Sequence, residues 1–156
     1  MATTQERMNI PIFVSSTYED LKAYRDEVER SIIYMNQTIK GMEFFGSTPE
    51  RPLDKCLQTV RECKLYIGII GMRYGSVEED SGKSFTELEY DEAVKNRIPV
   101  LIYILDENHP IASRFVDKGE GAEKLEAFKS RLKKAHVVSS FTTPAVSTRQ
   151  NAQSKK

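Results

Sequence analysis

The sequence predicts a three-layer α/β domain built on a five-stranded parallel sheet with strand order 2-1-3-4-5. Three observations predict it. Five short apolar runs, several rich in β-branched residues, recur along the chain, and segments of helical length stand between them, so that strand and helix alternate. The runs Leu65–Ile70 (LYIGII) and Pro99–Leu105 (PVLIYIL) are apolar almost without interruption, as strands covered on both faces must be. Alternation of this kind joins parallel strands through right-handed helical crossovers.

Ile10–Val14 (IPIFV) is the first strand, closed by the polar cluster Ser15-Ser16-Thr17. Thr17 and Asp20 approximate a capping box for the first helix, in which Leu21, Tyr24, Val28 and Ile32 recur at helical spacing to about Met35. Thr38–Phe45 (TIKGMEFF) is the second strand, and the GSTPERP that follows is dense in turn formers. Pro52 suits the first turn of a second helix over about Leu53–Cys63, with Leu57 and Val60 facing inward. Leu65–Ile70 is the central strand, and GMRYGSVEEDSGKS after it is a long polar loop. A third helix runs from about Phe85 to Asn96, Pro99–Leu105 is the fourth strand, and the chain turns at His109-Pro110. A charged helix over about Ala122–Lys134 and a last strand over Val137–Phe141 complete the pattern. Large apolar residues vanish from Pro144 to Lys156. The expected organisation is therefore a flexible N-terminus over residues 1–9, the α/β domain over 10–143 and a disordered tail over 144–156.

Composition narrows the function. With 156 residues, 39% of them hydrophobic and 29% charged, the chain has the size and balance of one soluble domain. Its 23 basic and 23 acidic residues cancel, so there is no summed basic field to hold a phosphate backbone, and nucleic acid is not an expected partner. Cys56 and Cys63, seven residues apart on one helix, exclude a disulfide framework and a four-cysteine metal cluster, and they read as packing residues. No HExxH, CxxC, GxSxG or GxGxxG occurs, and His109 and His136 have no ligand-type neighbours in sequence. No metal is expected. No apolar run approaches the ~20 residues that span a bilayer, and the opening MATTQERMNI lacks a basic segment followed by an apolar one. The expected location is the cytoplasm, with no membrane contact.

In a 2-1-3-4-5 sheet the crossover direction reverses between the first and third strands, and ligands bind outside the carboxyl ends of the strands there. The loops to inspect are Ser15–Thr17, Glu43–Gly46 and Gly71–Thr86. Gly82-Lys83-Ser84 resembles the end of a phosphate loop, but the glycine required five residues earlier is Val77, and Glu78, Glu79 and Asp80 would repel a phosphate. The segment reads as a solvated loop with Ser84 capping the next helix. On that helix Thr86, Glu89 and Ala93 fall on one stripe, while Glu87 goes with Tyr90 and Val94, so the two carboxylates diverge. Either glutamate also fits a plainer role as a first-turn acid complementing the helix dipole on a solvated face.

The strings IFVSSTYEDL, GMEFFG, RPLDKCLQTVREC, YIGIIGMRYGS, SFTELEYDEAV and IPVLIYILD together resemble the DUF4062 family, bacterial domains of unknown function, over roughly Ile10 to Thr143. The resemblance implies a module at the N-terminus of large signalling ATPases, with NACHT-like or repeat regions behind it, in bacterial defence or stress signalling. That family commonly continues after the fifth strand into another helix, where this chain has PAVSTRQNAQSKK, as a fragment or a short form would. More distantly, the layout is similar to TIR domains and nucleoside 2-deoxyribosyltransferases, which share the flavodoxin/TIR-like layout. These place a catalytic glutamate on the helix after the central strand, an alanine four residues on, and a strand opening about ten residues after the glutamate. Glu89, Ala93 and Pro99 match that spacing, and Glu87 is the runner-up. Deoxyribosyltransferases usually carry an aspartate just after the central strand, where this chain reads Gly71-Met72-Arg73-Tyr74-Gly75, which argues against a plain deoxyribosyltransferase.

The resemblance thus implies a nucleotide N-glycosidase or transferase. Breaking an N-glycosidic bond of NAD or a related nucleotide builds positive charge on the sugar, which Glu89 would stabilise or capture. Ser15, Ser16 and Thr17 would hold a phosphate with backbone N–H groups, Arg73 would face a phosphate, and Glu43 would bind a ribose hydroxyl. Tyr74, Ser84 and Thr86 complete the expected ligand-side set. NAD enters as substrate, and no resident cofactor is expected. The alternative is a non-catalytic module that self-associates weakly or docks on other domains of a larger signalling ATPase, with Met72, Tyr74, Phe44 and Phe45 as an exposed adhesive patch. A flavin carrier would rest on the fold alone.

Overall fold

Alternating side chains on five parallel strands give the protein two apolar surfaces, and the helices divide between them unequally. The computed structural model describes residues 9–41 and 52–142. In chain order the elements are β1 (Pro11–Ser16), α1 (Lys22–Tyr34), β2 (Thr38–Lys40), α2 (Pro52–Glu62), β3 (Leu65–Ile70), α3 (Phe85–Lys95), β4 (Val100–Leu105), a short 3-10 helix (Ser113–Phe115), α4 (Glu120–Ala135) and β5 (Ser139–Phe141). All neighbouring strands pair in parallel, in the order β2-β1-β3-β4-β5. The register sets Ser15 of β1 and Ile102 of β4 on either side of Gly68. Fold class and strand order are those the sequence predicts. The expected flexible N-terminus (but for Asn9), the end of the second strand with Glu43, the GSTPERP turn and the expected disordered tail lie outside the described residues.

Phe13, Tyr66, Ile70, Ile102 and Ile104 project from one sheet face into a core closed by Val60 of α2, Tyr90 and Ala93 of α3, and Leu125, Phe128 and Leu132 of α4. Ile12, Val14, Ile67, Ile69, Leu105 and Phe141 project the other way, against Leu21 and, from α1, Ile32, Tyr24 and Val28. Topology explains the three-to-one split. The step from β1 to β2 runs opposite to every later step, and a right-handed crossover taken in the opposite direction lands its helix on the opposite face. Among the described residues, α1 is the only helix packed on that face. Leu101 in the middle of β4 stays 45% exposed, and a cavity of about 350 Å³ lies between α1 and β3–β4, lined by Val28, Ile67, Leu101 and Tyr103 among others.

Element ends shift by a few residues from those the sequence predicts. The Thr17–Asp20 capping box does not form: α1 begins at Lys22 with Leu21 in the cap position and no side-chain cap. Asp20 instead turns its buried carboxylate toward Arg73, at 3.5 Å, so a tertiary ion pair replaces the local cap. α4 starts at Glu120, two residues before the expected Ala122, because Gly119 at φ +64° turns the chain into it. β5 begins at Ser139, since Val137 projects fully into solvent. No helix among the described residues is long and apolar enough to cross a membrane.

The split of the core makes a direct test. Leu132→Ala removes a fully buried side chain from beneath α4 and should destabilise the fold by about 2–5 kcal/mol in urea denaturation. Val137→Ala should stay within about 0.5 kcal/mol of the parent. Equal effects would contradict this packing.

Candidate functional site

β1 and β3 end side by side, and the loops leaving them diverge around a cavity of about 550 Å³. Its walls come from five places in the chain. Ser16 ends β1, Thr17, Tyr18 and Glu19 follow it, and Arg25 stands on α1. Pro52 opens α2, and Arg73, Gly75 and Ser76 lie in the loop after β3. Phe85, Thr86 and Glu89 close it from the first turns of α3. The β3–α3 loop runs tight beneath the end of β1: at Gly75, φ is +99°, and a Cβ there would lie 3.1 Å from Thr17 Cγ2. Glycine is required at this position on both counts.

Beyond Gly75 the loop folds back as a small hairpin. Val77 bridges Ser84 antiparallel, the Glu78 N–H donates to the Lys83 carbonyl at 2.8 Å, and the Gly82 N–H donates to the Glu78 carbonyl at 2.9 Å. Lys83 reaches Asp91 at 2.8 Å, and Lys124 donates to the Gly82 carbonyl at 2.9 Å, so the Gly-Lys-Ser string is a hairpin arm with its charges already engaged. Ser84 is the N-cap of α3, its buried hydroxyl accepting from the Glu87 N–H at 3.1 Å.

The helical wheel separates the two glutamates as the structure does. Glu89 lines the cavity and is only 5% exposed. Its negative charge is felt by two neighbours held neutral. Burial first, then Glu89, pushes the Cys56 thiol up to about 12, and burial followed by Glu89 raises the Tyr66 phenol well above its ordinary value. Glu87, 7% exposed, points elsewhere: it accepts from the Tyr74 hydroxyl at 3.2 Å and sits 3.4 Å from the Arg131 guanidinium of α4. Neither carboxylate occupies a solvated face.

Of the residues expected around a ligand, Ser16, Thr17, Arg73, Thr86 and Glu89 line the cavity together. Ser15 is buried on β1 behind that lining, Ser84 is the helix cap, and Glu43 lies outside the described residues. Tyr74 is buried in the core under α3 and α4 with its hydroxyl on Glu87, and Met72 is half-buried. The expected adhesive patch is therefore not built from these two, because an aromatic ring beside a packed helix gains more from burial than from solvent. Phe44 and Phe45 lie outside the described residues. No group of three His, Cys, Asp or Glu side chains among the described residues could hold a metal ion.

Arg25 is the buried charged residue of the cavity that sequence reasoning missed. It is 3% exposed and donates from Nη1 to the Ser16 hydroxyl at 2.8 Å and toward the Val14 carbonyl at 3.3 Å. The signal was present, because Arg25 falls on the apolar stripe Leu21, Val28, Ile32 of its own helix. A charge on a core-facing stripe must serve something inside.

Known proteins share parts of this architecture. A family model described as domain of unknown function (DUF4062) matches residues 11–154. Telomerase protein component 1 of Mus musculus is 31% identical over 111 residues, covering 52% of this chain and 4% of that protein. The same component of Rattus norvegicus is 30% identical over 111 residues, with the same coverage, so the chain spans a small fraction of the curated relatives it matches. Among solved structures, the TIR domains of the activated Roq1 resistosome directly recognizing the pathogen effector XopQ superpose with a TM-score of 0.53. They cover 82% of this chain and 75% of that one at 12% identity, a likeness of fold.

Two measurements check the Ser84 cap and the buried thiols. Ser84→Ala should lower stability by about 1 kcal/mol through loss of the cap. Cys63, like Cys56, is buried, and its thiol is pushed up to about 11. At pH 8 only about one thiol in a thousand or fewer would then be ionised, so both cysteines should resist alkylation until the protein unfolds. Labelling of the folded protein at the rate of a free thiol would contradict that.

Proposed function

The chain belongs to the DUF4062 family and has a TIR-like fold, and on that premise we propose that its cavity binds a nucleotide and that Glu89 cleaves an N-glycosidic bond there, with NAD or a related nucleotide as substrate. One observation carries the reading: a buried carboxylate opens onto a cavity at the reversal point of the sheet, with two guanidiniums, Arg25 and Arg73, among its other walls. A nucleotide offers the matching charges, anionic at the phosphate and increasingly cationic at the ribose as the bond breaks.

In this mechanism the bond between the ribose C1′ and the base nitrogen breaks, and its electron pair leaves with the base. The positive charge left on the sugar is stabilised or captured by Glu89 until water or another nucleophile adds at C1′ and gives up its proton, to solvent where neutral nicotinamide leaves and to the departing base where that leaves as an anion. Ser16, Thr17 and Arg73 hold phosphate, Glu43 binds a ribose hydroxyl, and Thr86 completes the sugar side of the cavity. Ser15 and Ser84 support this lining from behind, and Tyr74 fixes Glu87. Glu87 is assigned to holding α3 and α4 together. The module acts in a cytoplasmic signalling or defence protein, joined to other domains such as an ATPase.

A second reading has its own support. The half-bare face around Leu101 favours a non-catalytic module that self-associates weakly or receives another domain.

The test is release of nicotinamide or free base from NAD and from a panel of nucleosides. Glu89→Gln should keep the fold and lower the rate about a hundredfold or more, whereas Glu87→Gln should change the rate far less. Absence of turnover under all conditions, with and without partner domains, would leave the interaction module.

A further inference from the structure

We propose that Asp117 is a positioning residue for Arg73 and thereby sets the preference of the cavity for phosphorylated over unphosphorylated ligands. This rests on the nucleotide reading above. Asp117 lies in the connection between β4 and α4, away from the cavity lining, yet it grips the chain on both sides of Arg73. Its N–H donates to the Met72 carbonyl at 2.9 Å, and its Oδ2 accepts from the Tyr74 N–H at 2.7 Å. Tyr74 is further fixed by its buried ring and its hydroxyl on Glu87. With both neighbours held, the Arg73 backbone is committed to one path and its side chain to the cavity wall.

Arg73 is also poised electrostatically. Its Nη1 lies 3.5 Å from Asp20 Oδ1, a carboxylate whose side chain is wholly buried and whose oxygens accept no hydrogen bond. A buried carboxylate with this one ion pair keeps the guanidinium near the cavity. At 3.5 Å the pair leaves most of the five N–H donors of Arg73 available for a phosphate. Asp117 is itself set by α4: a Cβ at Gly121 would stand 3.0 Å from its Oδ2 and 3.3 Å from its Cγ, so the carboxylate packs on the first turn of that helix. Negative charge is favoured at this end of a helix. A chain of contacts thus runs from the start of α4 through Asp117 to Arg73.

The experiment is calorimetric titration of the whole chain with AMP and with adenosine. The parent should bind AMP about tenfold more tightly or better, as a charge-assisted contact to phosphate supplies, and Arg73→Ala should abolish that advantage. Asp117→Ala should cut the advantage to about threefold or less while leaving adenosine affinity unchanged. Asp117→Asn should retain most of it, because an amide oxygen can still accept from the Tyr74 N–H. Gly121→Ala, which crowds the carboxylate without touching cavity or core, should lower the advantage in the same direction, and it carries the test if Asp117→Ala does not fold. A folded Asp117→Ala or Gly121→Ala that keeps the parental ratio would overturn the positioning role and leave the nucleotide reading intact. So would a loss that weakens both ligands equally, which is what a merely structural role predicts. A parent that binds neither ligand would overturn the nucleotide reading and this inference with it.

Discussion

The handedness of β-strand crossovers is the constraint on which the rest of the structure depends. A right-handed connection must leave β1 in one direction to reach β2, and every later connection runs the other way. The loops that follow β1 and β3 therefore part from each other, and a crevice opens at the carboxyl ends of two adjacent strands. The same reversal sends α1 to one face and α2, α3 and α4 to the other. The cavity and the presence of α1 alone, among the described residues, on the face around Leu101 are two consequences of one rule.

What fills the crevice is charge that the fold has had to accommodate. Glu89, Arg25 and Asp20 are all withdrawn from water near one place, and charges are buried at such density only with compensating partners. Arg25 ties α1 to the end of β1, Glu87 ties α3 to the β3–α3 loop and to α4, and Asp117 ties that loop to the β4–α4 connection. The Glu87–Arg131 pair and the Asp117 bond cross from one crossover unit to another. The crevice thereby becomes a shaped cavity rather than a gap between independent loops. Glu87 and Glu89, two positions apart on one helix, face different surroundings, Glu87 toward Tyr74 and Arg131 and Glu89 toward the cavity.

The strands and the third helix were legible in the sequence because each rests on local signals. The unbroken LYIGII run marks a strand buried on both faces, and Ser84 before Phe85 marks the start of α3. The divergence of Glu87 from Glu89 follows from helical geometry alone. Asp20 was misread for a physical reason: an aspartate three residues after a threonine satisfies the local rule for a cap, but a guanidinium from a distant loop outcompetes it. Tyr74 looked like surface because it sits in a polar loop, and only the packing of α3 and α4 above that loop covers it. Asp117 gave no signal at all, since an aspartate in a polar connection has no period to betray what it holds.

Ligand binding at the carboxyl ends of β1 and β3 is tested most directly by backbone amide NMR of the isotope-labelled chain titrated with ADP-ribose. Shifts should cluster at Ser16–Glu19, Arg73–Ser76 and Phe85–Glu89, three stretches that meet around the cavity. Shifts confined to Val28, Leu101 and Tyr103 on the half-bare face, or none at saturating ligand, would contradict it.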